Sequence, residues 1–346
     1  MEPPPPPTQR RQLPHLPEDV VMLILSFLPV KSLMQFMCVC RSWNSLITSP
    51  KFAKLKYLRT PKYASIILTV DDTLDPDMTI IHAAPCSVPS LLSLPLSAVS
   101  EDSFIPIMDD YYVVGTCHGL VCLAGSVWES EGESWVKFWN PETRITSERS
   151  PSLHFNSDLT VALNYGFGYD CENDVYKIVA LISDSEKARV KDFTMADSCW
   201  RDMGSLSFPA LPIAGSITNE NDGIYINGTL NWLALCNFSG ENAWEEVTAV
   251  DQLVILSLDL GKETYNQFGL PVGLDELPKL KPVLGVLRDC LYLCHDYKTS
   301  HFVLWQMKEF GNAGSWTPLL NVSHQHLQIE RVFEPEHHPI VPMCMS

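Results

Sequence analysis

Apolar residues near the start of the chain recur at helical spacing. Val20, Ile24, Phe27 and Leu28 fall on one face of a helix, because positions i, i+4, i+7 and i+8 share a face. Pro17 stands where a first helical residue can do without its N–H. The pattern therefore predicts an amphipathic helix that begins near Pro17 and ends at the next proline.

Two shorter helices are predicted after it. Apolar spacing over 33–40 indicates the first of them, with Ser32 as its N-cap. The second covers 43–47 and ends before Pro50. Three short helices within 13–59 cannot bury much apolar surface by themselves, so we expect this module to dock onto another protein.

From residue 61 onward the pattern changes to short runs typical of strands. Runs at 64–70 and 78–83 flank a polar turn at 71–77. Four sets of four runs follow, and Asn227-Gly228 in the third set is a strong hairpin signal. We expect each set to form one four-stranded sheet. The runs are 112–115, 120–123, 137–139 and 144–145; 165–169, 175–182, 190–193 and 199–203; 224–226, 230–235, 254–258 and 264–270; and 284–287, 291–294, 302–307 and 316–319.

The spacing of these sets indicates a repeat. They begin about 50–60 residues apart, close to the length of a kelch repeat, although the paired glycines of kelch repeats are missing. Repeated four-stranded sheets with variable loops fit a β-propeller, and a β-sandwich or two β domains is the alternative. We therefore predict an α+β multidomain chain. It comprises a disordered proline-rich tail at 1–12, a three-helix module at 13–59 and a mainly β, kelch-like propeller domain at 60–346.

The propeller is expected to be incomplete at its C-terminus. The mildly apolar run 340–343 resembles the start of a strand, and the sequence ends three residues later. Without its final strands the ring stays open unless 64–83 supplies the closing partner, and an unpaired strand edge favours association. We expect 319–343 to be the least protected part of the domain in hydrogen exchange.

The uneven distribution of charge along the chain limits the classes of partner that it can bind. Residues 1–60 hold eight Lys or Arg and three Asp or Glu, a net +5, whereas the whole chain carries −17. The remainder therefore carries −22. So acidic a body argues against nucleic acid and anionic membranes, which need clustered Lys and Arg. It permits a basic protein target, whose association would slow as salt rises.

Cysteine usage and hydropathy indicate the compartment. The eleven cysteines are odd in number and none follows a paired-ligand spacing. Residues 1–12 lack the apolar core of a secretory signal, and the most apolar segment, 20–30, is far too short to span a bilayer. We expect a reducing compartment, the cytoplasm or the nucleus.

A search for catalytic and metal-binding motifs finds little. A P-loop, a dinucleotide fingerprint, a paired-histidine zinc helix and a nucleophile elbow are all missing. Asp170, Glu172 and Asp174 copy the first half of a calcium loop, without its central glycine and final acid. We interpret them as a hairpin turn. A histidine-rich stretch at 324–338 is interpreted as polar surface, and we expect no catalytic residue, metal or cofactor.

The helical module resembles the F-box. The match runs in order through LPEDV at 16–20, ILSFLPVKSL at 24–33 and VCRSWNSLI at 39–47. The rest resembles the plant-type F-box-associated domain, often called F-box/kelch-repeat. The matching blocks are 115–123, 138–145, 165–181, 198–203, 224–235, 255–271 and 284–307.

This resemblance implies a non-catalytic role in ubiquitin conjugation. The F-box would bind a Skp-type adaptor and, through it, a cullin–RING scaffold of an SCF-type ubiquitin ligase. The β domain, joined by the short segment 57–61, would hold an unknown protein target. A carbohydrate-binding module for glycoproteins, still linked to the ligase, is the alternative. An enzyme built on a propeller is a third reading, and no motif supports it.

The resemblance also assigns candidate binding residues. Adaptor contact is carried onto Leu16, Pro17, Val20, Ile24, Leu28, Pro29, Leu33, Val39, Cys40, Trp43, Leu46 and Ile47. Five of these, Val20, Ile24, Leu33, Val39 and Ile47, fit the core of the module equally well. For the target, aromatic residues in two acidic loops are the candidates, because aromatic side chains are enriched in interface hot spots. They are Trp128 and Trp135 in the loop 128–135, and Trp244 in the loop 241–246.

Overall fold

The computed structural model divides the chain into two compact units, Met1–Pro61 and Lys62–Ser346, which are described separately. No helix among the described residues is long and apolar enough to cross a membrane. The predicted tail at 1–12 lies outside the described part of the chain. The structure describes residues 16–59, 65–75, 78–87, 105–107, 111–127, 131–141, 143–156, 162–183, 188–205, 210–213, 222–236, 247–274, 277, 281–297 and 301–323.

The N-terminal unit is helical and contains one helix more than the sequence predicts. Pro50 begins this extra helix rather than ending the third, since proline lacks only an N–H that the first turn leaves unpaired. The segment expected to join the two units therefore starts inside a helix. Ser32 is not an N-cap either, because the second helix starts at Val30, after Pro29. The helices are α1 (Glu18–Ser26), α2 (Val30–Met37), α3 (Arg41–Ile47) and α4 (Pro50–Arg59).

All four helices contribute to one apolar core. Phe36 packs edge-on against Trp43, with 5.4 Å between ring centroids. Lys56 on α4 donates a hydrogen bond from Nζ to the Leu28 carbonyl at 2.8 Å, which ties α4 to the end of α1. The buried residues of this core are Met22, Leu25, Leu33, Leu46, Ile47 and Phe52.

The second unit begins with a three-stranded antiparallel sheet in the order β1-β2-β3. Its strands are β1 (Ser65–Asp75), β2 (Met78–Ser87) and β3 (Ile105–Ile107). The turn predicted at 71–77 is wrong for most of its length. Asp71 pairs with Ile81 and Asp72 with Ile80, because strand pairing overrides the low β-propensity of aspartate.

Four larger antiparallel sheets follow, and each corresponds to one predicted set of runs. Sheet I contains β4 (Tyr111–Cys117), β5 (Leu120–Val127), β6 (Glu131–Asn140), β7 (Ile145–Thr146) and β8 (Leu153–Asn156). Sheet II contains β9 (Ala162–Asp170), β10 (Val175–Ser183), β11 (Ala188–Thr194) and β12 (Arg201–Ser205). Sheet III contains β13 (Ala210–Pro212), β14 (Ile224–Ile226), β15 (Thr229–Cys236), β16 (Leu253–Asp259) and β17 (Thr264–Gly269). Sheet IV contains β18 (Val283–Leu287), β19 (Cys290–Tyr297), β20 (His301–Met307) and β21 (Trp316–Ser323).

Three short strands, β3, β8 and β13, were not predicted. β8 pairs with one end of β6 and the predicted β7 with the other, so β7 and β8 together act as one interrupted fourth strand. β13 pairs with the end of β15 that β14 leaves uncovered. The runs that form them are too short to show an alternating pattern.

The larger sheets pack on one another in chain order, as in a propeller. Strands β4, β9 and β14, from sheets I, II and III, contact one another, and a parallel bridge joins Gly166 to Gly223. Phe138 of sheet I contacts Phe167 of sheet II, with 5.5 Å between centroids. One buried cluster is shared by sheets II and III and another by sheets III and IV. The architecture is a small helical unit followed by a β-propeller-like domain.

Tight two-residue turns join some neighbouring strands within a sheet. Asn227 and Gly228 have φ of 50° and 77°, and Arg288 and Asp289 have φ of 52° and 57°. These left-handed pairs match the twist of a two-residue hairpin. β21 completes sheet IV as its fourth strand, and the residues after Ser323, where an open edge was expected, lie outside the described part of the chain.

Candidate functional site

An exposed apolar stripe runs along α1 and the residues that flank it. Its members are exposed by 54% at Leu16, which precedes the helix, 37% at Val20, 40% at Leu23, 50% at Ile24 and 69% at Phe27, which follows the helix. Helical spacing places Val20, Leu23, Ile24 and Phe27 on one face. Large exposed apolar patches on a folded unit mark sites where a protein or membrane binds.

The opposite face of α1 packs into the helical core. Met22 and Leu25 are buried there, at 8% and 2% exposure. A helix that is apolar all round needs a covering on both sides. The core of the unit covers one side of α1, and the exposed stripe is left for a partner.

The structure separates the twelve candidate adaptor residues into three groups. Leu28 and Trp43 are half-buried. Leu33, Leu46 and Ile47 are buried in the core, so we expect them to act through the fold rather than by touching a partner. The exposed members are Leu16, Pro17, Val20, Ile24, Pro29, Val39 and Cys40.

Sequence reasoning missed two members of the stripe. Phe27 was placed on the same helical face as Val20 and Ile24 but was not named as an adaptor contact, and Leu23 was not considered. A signal was present, because α1 is apolar on nearly every side and only one face can enter the core. The exposed stripe therefore extends the candidate site along the whole of α1.

The candidate target residue Trp135 does not lie in a loop. It belongs to β6, which begins at Glu131, so the loop predicted at 128–135 is wrong from that residue onward. Its indole Nε1 donates to Tyr111 Oη at 2.7 Å, and the Arg149 guanidinium lies 3.2 Å from its ring centroid. The strand pairing of β5 with β6 holds this half-buried ring against the sheet. Trp128 and Trp244 lie outside the described residues.

The topology relates the positions of these two candidates. Trp128 falls between β5 and β6, and Trp244 falls between β15 and β16. Each of these connections joins two strands that pair within one sheet, β5 with β6 and β15 with β16.

The calcium-like spacing at Asp170 forms a hairpin turn, as the sequence predicts. Asp170 Oδ1 accepts hydrogen bonds from the backbone N–H groups of Glu172 and Asn173, at 2.9 and 3.0 Å. Burial by itself would raise the pKa of Asp170, but hydrogen bonds from Asn173 and Lys177 outweigh it and hold that pKa below its ordinary value. Among the described residues, no group of three His, Cys, Asp or Glu side chains is arranged to hold a metal.

His295 on β19 is a buried imidazole that lacks a hydrogen-bond partner. It is fully buried, and neither ring nitrogen has a partner within the described residues. Its ring stacks on Tyr297 with 4.2 Å between centroids. Burial, with a smaller contribution from His301, lowers the pKa of His295 to about 4. The folded protein therefore holds this side chain neutral at neutral pH.

We expect His295 to make the β domain sensitive to acid. Its folded pKa of about 4 lies below the ordinary 6.5, so the unfolded chain takes up a proton first as the pH falls. The stability contributed by neutral His295 is complete above about pH 6.5 and is lost towards pH 4, at most about 1.4 kcal/mol per pH unit. Urea unfolding of the wild type and His295→Phe at pH 7 and pH 5 measures the effect. The variant should lose about 1–2 kcal/mol less on acidification, and equal losses would contradict the assignment.

Comparison with known families identifies both units. The F-box domain matches residues 13–55, and the F-box associated beta propeller domain matches residues 90–340. The chain is an F-box protein. A related F-box/kelch-repeat protein of Arabidopsis thaliana is 34% identical over 89% of this chain and 80% of its own length. A second Arabidopsis F-box protein is 28% identical over 95% of this chain and 88% of its own.

Similarity to solved structures is slight. The cobalt-substituted ACO of Synechocystis aligns with a TM-score of 0.37 and 8% identity, over 72% of this chain and 58% of that one, which is too little to inform fold or function. Membership of the F-box family supports a substrate-recognition role of the SCF type in general. F-box proteins are generally non-catalytic adaptor subunits.

Proposed function

We propose that this F-box protein is the substrate-recognition subunit of an SCF-type cullin–RING ubiquitin ligase. Its helical unit binds a Skp-type adaptor, and its β domain binds the protein to be ubiquitinated. The observation that carries the proposal is the exposed apolar stripe of α1, which lies inside the segment matched by the F-box model.

The stripe supplies enough apolar surface to drive docking. Burying a large apolar side chain that was fully exposed is worth roughly 1.5–3 kcal/mol. Five side chains that are about half exposed would therefore contribute several kcal/mol. Association costs at least about 4 kcal/mol in lost translational and rotational freedom, so we expect the exposed residues that follow α2, Val39 and Cys40, to add to the same interface.

Such a subunit catalyses no reaction itself and acts by holding the target close to the rest of the ligase. Holding a target beside the activated ubiquitin raises the effective concentration of its lysines, which converts an encounter in solution into a reaction within one complex. The adaptor and the scaffold supply the rest of the assembly. Cofactors play no part in this role.

The proposed target contacts are the two tryptophan-bearing connections, β5 to β6 and β15 to β16. Trp128 and Trp244 would contribute the aromatic side chains that interface hot spots favour. The strongly acidic body favours a target with a basic surface, because opposite charges raise the rate of encounter. Trp135 would contribute only through the part of its ring that remains exposed.

Affinity purification with mass spectrometry, carried out while the proteasome is inhibited, tests the whole assignment. We expect the Skp-type adaptor, the cullin and at least one further protein to co-purify with the full chain. A variant with Trp128→Ala and Trp244→Ala should keep the adaptor and lose the target. Absence of the adaptor from the wild-type preparation would overturn the proposed function.

Replacing Ile24 by Asp is expected to abolish adaptor binding without unfolding the protein. Ile24 is 50% exposed, so the free unit tolerates the charge, whereas burial of that charge in the interface costs several kcal/mol. The affinity measured by calorimetry should fall by about 100-fold or more, which corresponds to about 2.7 kcal/mol.

The matched control is Val272→Asp in the β domain. Val272 is 90% exposed, so the control introduces the same charge at an exposed aliphatic residue far from the F-box in sequence. It should bind the adaptor as the wild type does. Normal binding by a folded Ile24→Asp variant would show that α1 does not form the interface.

A further inference from the structure

The exposed stripe of α1 carries opposite charges at its two ends. Glu18 and Asp19 lie in the first turn of the helix and are exposed. At the other end, the Arg59 guanidinium of α4 lies over the Phe27 ring, 4.5 Å from its centroid. Lys56 of α4 donates to the Leu28 carbonyl at 2.8 Å, just beyond the end of α1. Nine residues of helix separate the two charged ends, which is about 14 Å.

The charged groups of interest at the two ends of the stripe are Glu18, Asp19 and Arg59. Among the ion pairs of the described residues, none includes Glu18, Asp19 or Arg59. Helix α4 carries Lys51, Lys54, Lys56 and Arg59, and none of its ten residues is acidic. The last turn of α1 carries no basic residue of its own. Among the described residues, α4 therefore supplies the positive charge at this end of the stripe.

The contact between Arg59 and Phe27 fixes where the positive charge sits. Phe27 is the most exposed member of the stripe, at 69%, and a cation over an aromatic ring is attracted to its face. An arginine free to move would spread its charge over a wide volume, whereas this one is held at the rim of the apolar surface. A partner that covers Phe27 must also face this guanidinium.

We infer that the docking surface is negative at one end of the stripe and positive at the other. This difference in charge sets the direction in which α1 lies on the adaptor. This inference rests on the proposed function. The partner that fits is an apolar groove with acidic side chains beside Phe27 and Arg59 and a basic side chain beside Glu18 and Asp19. In the reverse direction like charges would meet at both ends, which disfavours that orientation. The apolar stripe gives affinity, and the charged ends select one orientation.

Charge reversal at Arg59 tests the inference on the full chain. Rim charges act mainly on the rate of association, and their effect fades as salt screens it. With a purified Skp-type adaptor, Arg59→Glu should slow association by about 5- to 10-fold at low salt and by less than about twofold at 0.5 M salt. Replacing both Glu18 and Asp19 by Lys should slow it similarly.

Lys51→Glu provides the matched control. Lys51 is exposed at the start of α4, so the variant changes the net charge by the same amount about 12 Å along the helix from Arg59. It should slow association by less than about twofold. Arg59→Gln removes the charge with less disturbance and should give an intermediate rate, which keeps the test valid if the Glu variant folds poorly.

The outcomes separate this inference from the function on which it rests. Equal slowing by Arg59→Glu and Lys51→Glu would overturn it, since only net charge would then matter. Slowing by Arg59→Glu that persists at 0.5 M salt would also overturn it, because lost packing on Phe27 would be the cause. If the wild-type protein binds the adaptor and either result is found, the proposed function stands. If the wild-type protein does not bind, both fail.

Discussion

Replacing Lys177 by Ala is expected to lower the free energy of unfolding of the β domain by about 3–5 kcal/mol. Lys177 Nζ lies 2.9 Å from Asp170 Oδ2, and both side chains are buried, at 7% and 0% exposure. The same ammonium contacts Glu263 at 3.1 Å and the Leu260 carbonyl at 2.8 Å. Removing the cation leaves the Asp170 carboxylate buried without its counter-ion, and it also breaks a link between sheets II and III.

Urea unfolding followed by circular dichroism measures this loss. The double variant with Lys177→Met and Asp170→Asn should recover a large part of it, because no uncompensated charge remains and Asn keeps an oxygen to accept the turn hydrogen bonds. Lys262→Ala is the control on an exposed pair. Lys262 is 65% exposed where it meets Asp259 at 3.3 Å, and its loss should cost less than about 1 kcal/mol. A similar cost for Lys177→Ala would show that the buried network adds nothing to stability.

Trp232→Ala is the second substitution with a large expected effect, about 3–5 kcal/mol. Trp232 is 1% exposed and belongs to the cluster shared by sheets II and III. Its indole Nε1 donates to the Tyr165 carbonyl at 3.0 Å, which ties β15 to β9. The ring fits because its neighbours Gly166 and Gly223 lack side chains, and a Cβ at either would come within 2.8 Å of it. Truncation therefore opens a large cavity between two sheets.

Two further substitutions, one of the indole and one of a glycine that packs against it, test whether a cavity explains the loss of stability. Trp232→Phe keeps most of the ring and loses the hydrogen bond, so it should cost less than half as much as Trp232→Ala. Gly166→Ala should also destabilise, by about 1–3 kcal/mol, because a Cβ there meets the indole at 2.8 Å. Chemical denaturation of the three variants gives the comparison. If Gly166→Ala has wild-type stability, the close packing of the indole on β9 is not real.

The sheets were predictable because hairpins leave strong local signals. The turn at Asn227-Gly228 is specified by these two residues and their immediate neighbours. The alternation of apolar and polar residues in the flanking strands is a local signal as well. The extra helix at Pro50 was missed because proline is compatible with both the end and the beginning of a helix, and only packing against α1 decides. Trp135 was placed in a loop because the acidic residues around it suggested exposure, whereas pairing with β5 made them strand residues.

For the candidate adaptor residues too, the sequence predicts one part of the answer and packing decides the rest. Periodicity places Ile24 and Leu25 on α1 but cannot say which apolar face turns inward, because both faces satisfy the pattern. The structure buries Leu25 and exposes Ile24. Residues such as Leu33 and Ile47 lie in a matched motif and serve the core. The sequence motif therefore identifies the helical module. Burial then distinguishes the exposed residues, which could contact an adaptor, from the residues that form the core.

The chain-order arrangement of sheets II and IV bears on how the protein acquires its fold during synthesis. Each strand of these sheets pairs only with its neighbours in sequence, so the loops to be closed are short and their entropic cost is low. A sheet can form as soon as its own residues leave the ribosome, and its apolar face then awaits the next sheet. Because domains generally form from the N-terminus during translation, the β domain would fold sheet by sheet after the F-box has already emerged.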